Sequence, residues 1–130
     1  VGLGAKVLLE RKVRKSLARL SRWLKSDLGR ADLTLKVEWL SLSIFHSRSG
    51  FAMSIGDGLL SLDVAISGDD HSINVTSFAE GGEFRSVKFG DADEFEVHVE
   101  LAVRRKLAEE AAAAGTAGVE AVPALDELKS

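Results

Sequence analysis

Leu9, Val13, Leu17, Leu20, Leu24 and Leu28 recur in steps of three and four. That spacing draws one apolar stripe along a helix over residues 5–28. Good helix formers fill the remaining positions and no proline interrupts them. Gly29 follows as a C-cap, and Asp32 opens the next element. From Leu33 the period falls to two. Leu33, Leu35, Val37 and Trp39 alternate with Thr34, Lys36 and Glu38, as in a half-buried strand. The apolar phase then moves to Leu40, Leu42 and Ile44, which predicts a bulge near Trp39–Leu40.

Arg48-Ser49-Gly50 reads as a turn, and Phe51, Met53 and Ile55 as a second strand. Leu60, Leu62, Val64 and Ile66 predict a third strand, after the turn residues Gly56-Asp57-Gly58. Ile73 and Val75 start a fourth, and residues 84–89 form a fifth. Phe95, Val97, Val99 and Leu101 alternate with Glu94, Glu96, His98 and Glu100 as a sixth. Loops of about three to five residues join these strands, too short for parallel crossovers. The fold expected is α+β: a helix, an antiparallel meander of about six strands, a C-terminal helix and a tail. An open sheet, a sandwich and a barrel all satisfy the strand count.

In this reading residues 1–115 form one domain, with its helix at 5–28, its sheet at 33–101 and a second helix at 101–114. Residues 116–130 form a flexible linker and tail. Val119, Val122, Leu125 and Leu128 make the tail amphipathic around Pro123. So short a segment cannot bury a core of its own. It either docks on a neighbour, folds back on its own sheet or stays disordered.

Composition narrows the classes. The 130 residues are 45% hydrophobic and 28% charged, which suits a globular chain. Without cysteine there is no disulfide framework, thiolate metal site or cysteine nucleophile, and a reducing compartment fits. No apolar run reaches the roughly 18 residues of a membrane span. Lys6 and Glu10 break the first apolar stretch, so no signal peptide is expected.

Charge changes the picture more. The net value of −3 conceals a sorted chain. Residues 1–36 hold ten Lys/Arg against three Asp/Glu, and residues 37–100 hold three against twelve. Such asymmetry marks a partner of opposite sign, or two regions of the protein that satisfy each other within or between subunits.

Candidate chemistry follows from that sorting. Arg11, Lys12, Lys15, Arg19 and Arg22 flank the apolar stripe and suit an acidic protein surface, nucleic-acid phosphates or anionic lipid. The plainer reading is a solvated face of a helix that covers the sheet. Glu94, Glu96 and Glu100 share one face of the expected sixth strand with His98. There they suit a neighbour's basic helix, acid–base work or a cation, or else solvent alone. Asp69-Asp70-His71 and Asp91-Ala92-Asp93-Glu94 lack the glycine and distal glutamate of a calcium loop and read as turns. No Walker loop, nucleophile elbow, paired-histidine helix or dinucleotide fingerprint occurs, so no cofactor or metal is expected.

Three functions remain in order. The first is a non-catalytic structural or assembly protein that self-associates or docks into a larger complex, for which a virion is one setting. The second is a binding module for acidic lipid or nucleic acid through the basic helix. The third is a small enzyme or ligand carrier with a pocket on the sheet, using His98 with Glu96 or Asp63.

Overall fold

The computed structural model describes residues 2–40, 48–78 and 82–117. Helix α1 (Gly2–Arg22) runs into a π-helical turn at Trp23–Asp27. Arg30 N–H donates to Leu24 O and Leu28 N–H to Trp23 O, each at 2.8 Å, so the last turn is widened. Gly29 then takes φ +70°, a left-handed conformation that a Cβ would oppose, and the helix stops there.

Five strands follow: β1 (Leu35–Leu40), β2 (Arg48–Ile55), β3 (Leu60–Ser67), β4 (Ser72–Phe78) and β5 (Phe84–Phe89). They lie in the order β1-β2-β3-β4-β5 with every neighbouring pair antiparallel. Helix α2 (Ala92–Ala117) closes the described chain. The expected α+β architecture is present, and the sheet is open.

Both helices cover one face of the sheet. Phe51, Met53 and Ile55 of β2, Leu60, Leu62, Val64 and Ile66 of β3, and Ile73 and Val75 of β4 point into the core. They meet Leu9, Val13, Leu17, Leu20 and Leu24 of the first helix and Phe95, Val99 and Val103 of α2. Burying each such side chain contributes about 1.5–3 kcal/mol before conformational entropy is counted. An aromatic chain crosses this layer. The Trp39 ring lies 4.6 Å from that of Phe51, which meets Phe95 edge-on at 6.4 Å. Arg14 stacks its guanidinium over Trp39 at 3.8 Å and seals the β1 side. The other sheet face carries small and polar residues, among them Ser54, Ser61, Asp63 and Thr76.

Several expectations are corrected. The sixth strand does not exist: residues 94–101 are the first turns of α2, which begins at Ala92 rather than 101. Alternation there coincides with a helical pattern, because Ala92, Phe95, Val99 and Val103 step by three, four and four onto one face. The helix buries all four, whereas a strand over 94–101 would reach only Phe95 and Val99 among them. Asp91 decides the start. Its Oδ1 accepts the Glu94 N–H at 2.8 Å, an N-cap bond to the third helical residue. Glu94 itself completes the Asp-x-x-Glu pattern of a capping box in sequence.

α2 also runs through Gly115 to Ala117 instead of ending at 114. Arg48-Ser49-Gly50 belongs to β2, where Ser49 Oγ donates to Glu10 Oε2 at 3.0 Å and ties that strand to α1. No bulge interrupts Trp39–Leu40, since the register continues from Trp39↔Phe51 to Leu40↔Gly50. Leu42 and Ile44, whose phase suggested the bulge, lie outside the described residues.

Candidate interaction surface

The outer side of α1 is set by its inner side. With Leu9, Val13, Leu17 and Leu20 packed on the sheet, the 100° step per residue turns Arg11, Lys15, Ala18 and Arg22 to solvent. Lys12 and Lys25 are exposed at its flanks. Among the described residues, none of Arg11, Lys12, Lys15, Arg22 and Lys25 forms an ion pair. Glu10 is engaged by Lys6 at 3.8 Å and Arg14 at 3.1 Å. Five cations are therefore left to solvent on this helix.

Arg19 behaves differently. Its Nε donates to Glu96 Oε1 at 2.8 Å, and its Nη2 lies 2.7 Å from the same oxygen and 3.6 Å from Asp93 Oδ1. It also donates to Ser16 Oγ at 3.1 Å, and that buried hydroxyl donates to Ala92 O at 3.3 Å. The hydrogen bond to Glu96 raises the Arg19 pKa. Farther along, Arg104 lies 5.3 Å over the Trp23 ring. As the α1 partners advance from 16 to 19 to 23, those on α2 advance from 92 to 96 to 104. The two helices run side by side in the same direction.

Of the acidic candidates, Glu96 is spent on Arg19, while Glu94 and Glu100 form no ion pair among the described residues. Around Glu94 the outer face of α2 carries Val97 and Leu101, which are 52% and 56% exposed. These two apolar side chains, one turn apart, are the part of the surface missed in the sequence. Read with a helical period, they fall opposite Phe95 and Val99, and that was the available signal. Val119, Val122, Leu125 and Leu128 lie outside the described residues.

Other clusters carry less. A cleft of about 310 Å³ is lined by Lys12, Lys15, Arg19, Asp91 and Asp93, of which Arg19 and Asp93 pair at 3.6 Å. A shallow trough of about 330 Å³ crosses the bare sheet face between Lys36, Glu38, Ser54, Ser61 and Asp63. Asp70 accepts from Ser72 Oγ at 3.0 Å and Lys88 Nζ at 3.1 Å, which fixes the β3–β4 turn. The hydroxyl of Ser67, followed by Lys88 and Ser72, holds its carboxyl far below the usual range. Ser67 Oγ is itself buried and has no hydrogen-bond partner within 3.5 Å among the described residues. His71 beside it takes φ +51° in the turn.

His98 packs its ring against Phe89 at 5.1 Å, where burial, then Arg105, lowers its pKa. It does not converge with its suggested partners. Glu96 reaches across to Arg19, and Asp63 lies on the opposite sheet face. Among the described residues no group of three or more His, Asp or Glu could hold a metal ion, and no helix is long and apolar enough to cross a membrane. No family matches the chain, and neither a curated protein nor a solved structure matches it.

Proposed function

We propose that this protein is a non-catalytic docking subunit that joins an assembly by placing the solvent side of α1 against an acidic surface. One observation carries the reading: Arg11, Lys12, Lys15, Arg22 and Lys25 crowd one helix without a carboxylate partner among the described residues. Clustered like charges repel each other and raise the energy of the free molecule. A partner that neutralises them relieves this, and it also steers encounter at low ionic strength.

The test measures binding to polyglutamate at low and at physiological salt. Wild type should bind at low salt and weaken about tenfold or more as screening rises. The Arg11→Glu/Lys15→Glu/Arg22→Glu variant should neither bind polyglutamate nor self-associate. A wild-type chain that does neither at low ionic strength defeats the proposal.

A second reading draws on the start of α1, where Val7 and Leu8 are 44% and 56% exposed beside Arg11. Apolar side chains next to cations favour an anionic bilayer over a purely polar polyanion. Vesicles of acidic phospholipid, compared with duplex DNA of equal charge, separate the two. Val7→Ser/Leu8→Ser should reduce vesicle binding and leave DNA binding intact.

A further inference from the structure

The outer ridges of α1 and α2 differ in chemistry in a way that favours a second copy of this chain. We infer that the protein forms a homodimer through its helical layer, with α1 of each copy lying over α2 of the other. This rests on the docking reading above and names its partner.

Three observations carry it. The first is complementary chemistry. α1 offers exposed Arg11, Lys15 and Arg22 around the small Ala18, and α2 offers Glu94, Val97 and Leu101 with Glu100 at its flank. The second is level placement. Ser16 meets Ala92 and Arg19 meets Glu96, so Lys15 stands level with the start of α2 and Arg22 with its second and third turns. The third is unpaired character on both ridges: Lys15, Arg22, Glu94 and Glu100 lack ion pairs among the described residues, and Val97 and Leu101 are more than half exposed.

A two-fold axis that lies in the contact plane and runs between the helices, parallel to them, exchanges α1 with α2 and preserves their heights. It sets Lys15 against Glu94 of the other copy and Arg22 against Glu100, with the arginine stem over Val97 and Leu101. The in-plane two-fold at right angles would stack the basic ridges on each other, which like-charge repulsion opposes. The charge pattern thus selects one self-complementary geometry. The two helices lie level only from Ser16 and Ala92 to Trp23 and Arg104, so two strips about 10 Å wide and about 18 Å long offer roughly 360 Å². A standard interface takes about 800 Å² from each partner, so this dimer is reversible and salt-sensitive.

Sedimentation of the full chain over a range of concentrations gives the first test. The mass should rise from one chain to two, and the dissociation constant should weaken about tenfold or more with added salt. The decisive test uses two charge-reversed variants, Lys15→Glu/Arg22→Glu and Glu94→Lys/Glu100→Lys, with circular dichroism confirming that both fold. Each variant alone should be monomeric. An equal mixture should dimerise, because each reversed ridge then meets an opposite one.

A chain that is monomeric at every concentration overturns the dimer, and if it still binds polyglutamate the docking reading stands without it. A dimer indifferent to both reversals uses another face and also overturns it. So does a pair of monomeric variants that mixing fails to rescue. A monomer with an intramolecular cross-link from Lys15 to Lys129 overturns it in favour of the tail as occupant.

Discussion

At the scale of single residues, burial and neighbouring charge set how two side chains, His98 and Asp70, titrate. His98 sits half-buried on α2 with its ring against Phe89 and with Arg105 nearby, and both burial and that cation disfavour its charged form. Its pKa in the folded protein therefore lies below the unfolded value of about 6.5. Between those two values the unfolded chain binds a proton that the folded protein does not, so stability falls as pH drops through that window and levels off below it. Denaturant midpoints measured from pH 7.5 to 5 should decline in wild type. His98→Gln should lose the part of the decline that belongs to this ring, and an unchanged slope would mean that the imidazole is not the group responsible. Asp70 works in the opposite sense. Its pKa is depressed by Ser67, Lys88 and Ser72, so its contribution is present above the ordinary carboxyl range and is lost only in strong acid.

At the scale of elements, start signals mattered more than apolar alternation. α1 was legible because its stripe keeps helical spacing for six leucine and valine positions and ends at Gly29. β3 was equally legible from Leu60, Leu62, Val64 and Ile66, which alternate without a break and bury one face. Residues 94–101 misled because Phe95 and Val99 fit both periods, while Val97 and Leu101 fill the strand pattern and are exposed on the helix. Asp91-Ala92-Asp93-Glu94 reads as a turn in sequence, but it is the N-cap and first three helical residues of α2. Of the candidate site, the cations of α1 were visible in sequence. The Arg19–Glu96 bridge, which spans 77 positions, was not, because it exists only once α2 lies beside α1. The cap is open to a direct test. Asp91→Ala removes the acceptor of the Glu94 N–H and should cost about 1 kcal/mol. Asp91→Asn or Asp91→Ser should recover most of it in chemical denaturation. Equal losses in all three would show that the negative charge at the helix start, rather than the hydrogen bond, was the stabilising feature.

At the scale of the whole molecule, one layer of helices protects one side of the sheet, and among the described residues nothing covers its far face or its two edge strands. β3 is paired on both sides and buries Leu60, Leu62, Val64 and Ile66 under the helices. Among the described residues β5 pairs only with β4, and five of its six residues are exposed. Its opening breaks one ladder and releases little apolar surface, whereas opening β3 breaks two ladders and empties the core. Amide exchange followed residue by residue should therefore be slowest in β3, at the rate of global unfolding. The paired amides of β5 should exchange far faster, through local opening. The helical-layer dimer leaves this order unchanged, because its contact face lies on the opposite side of the helices from the strands. It adds protection to α1 and α2 as concentration rises and none to β5. If β5 instead gained protection with concentration, copies would be adding strands at the sheet edge through Phe84–Phe89. The charge-complementary helical face would then not be the surface on which this chain assembles.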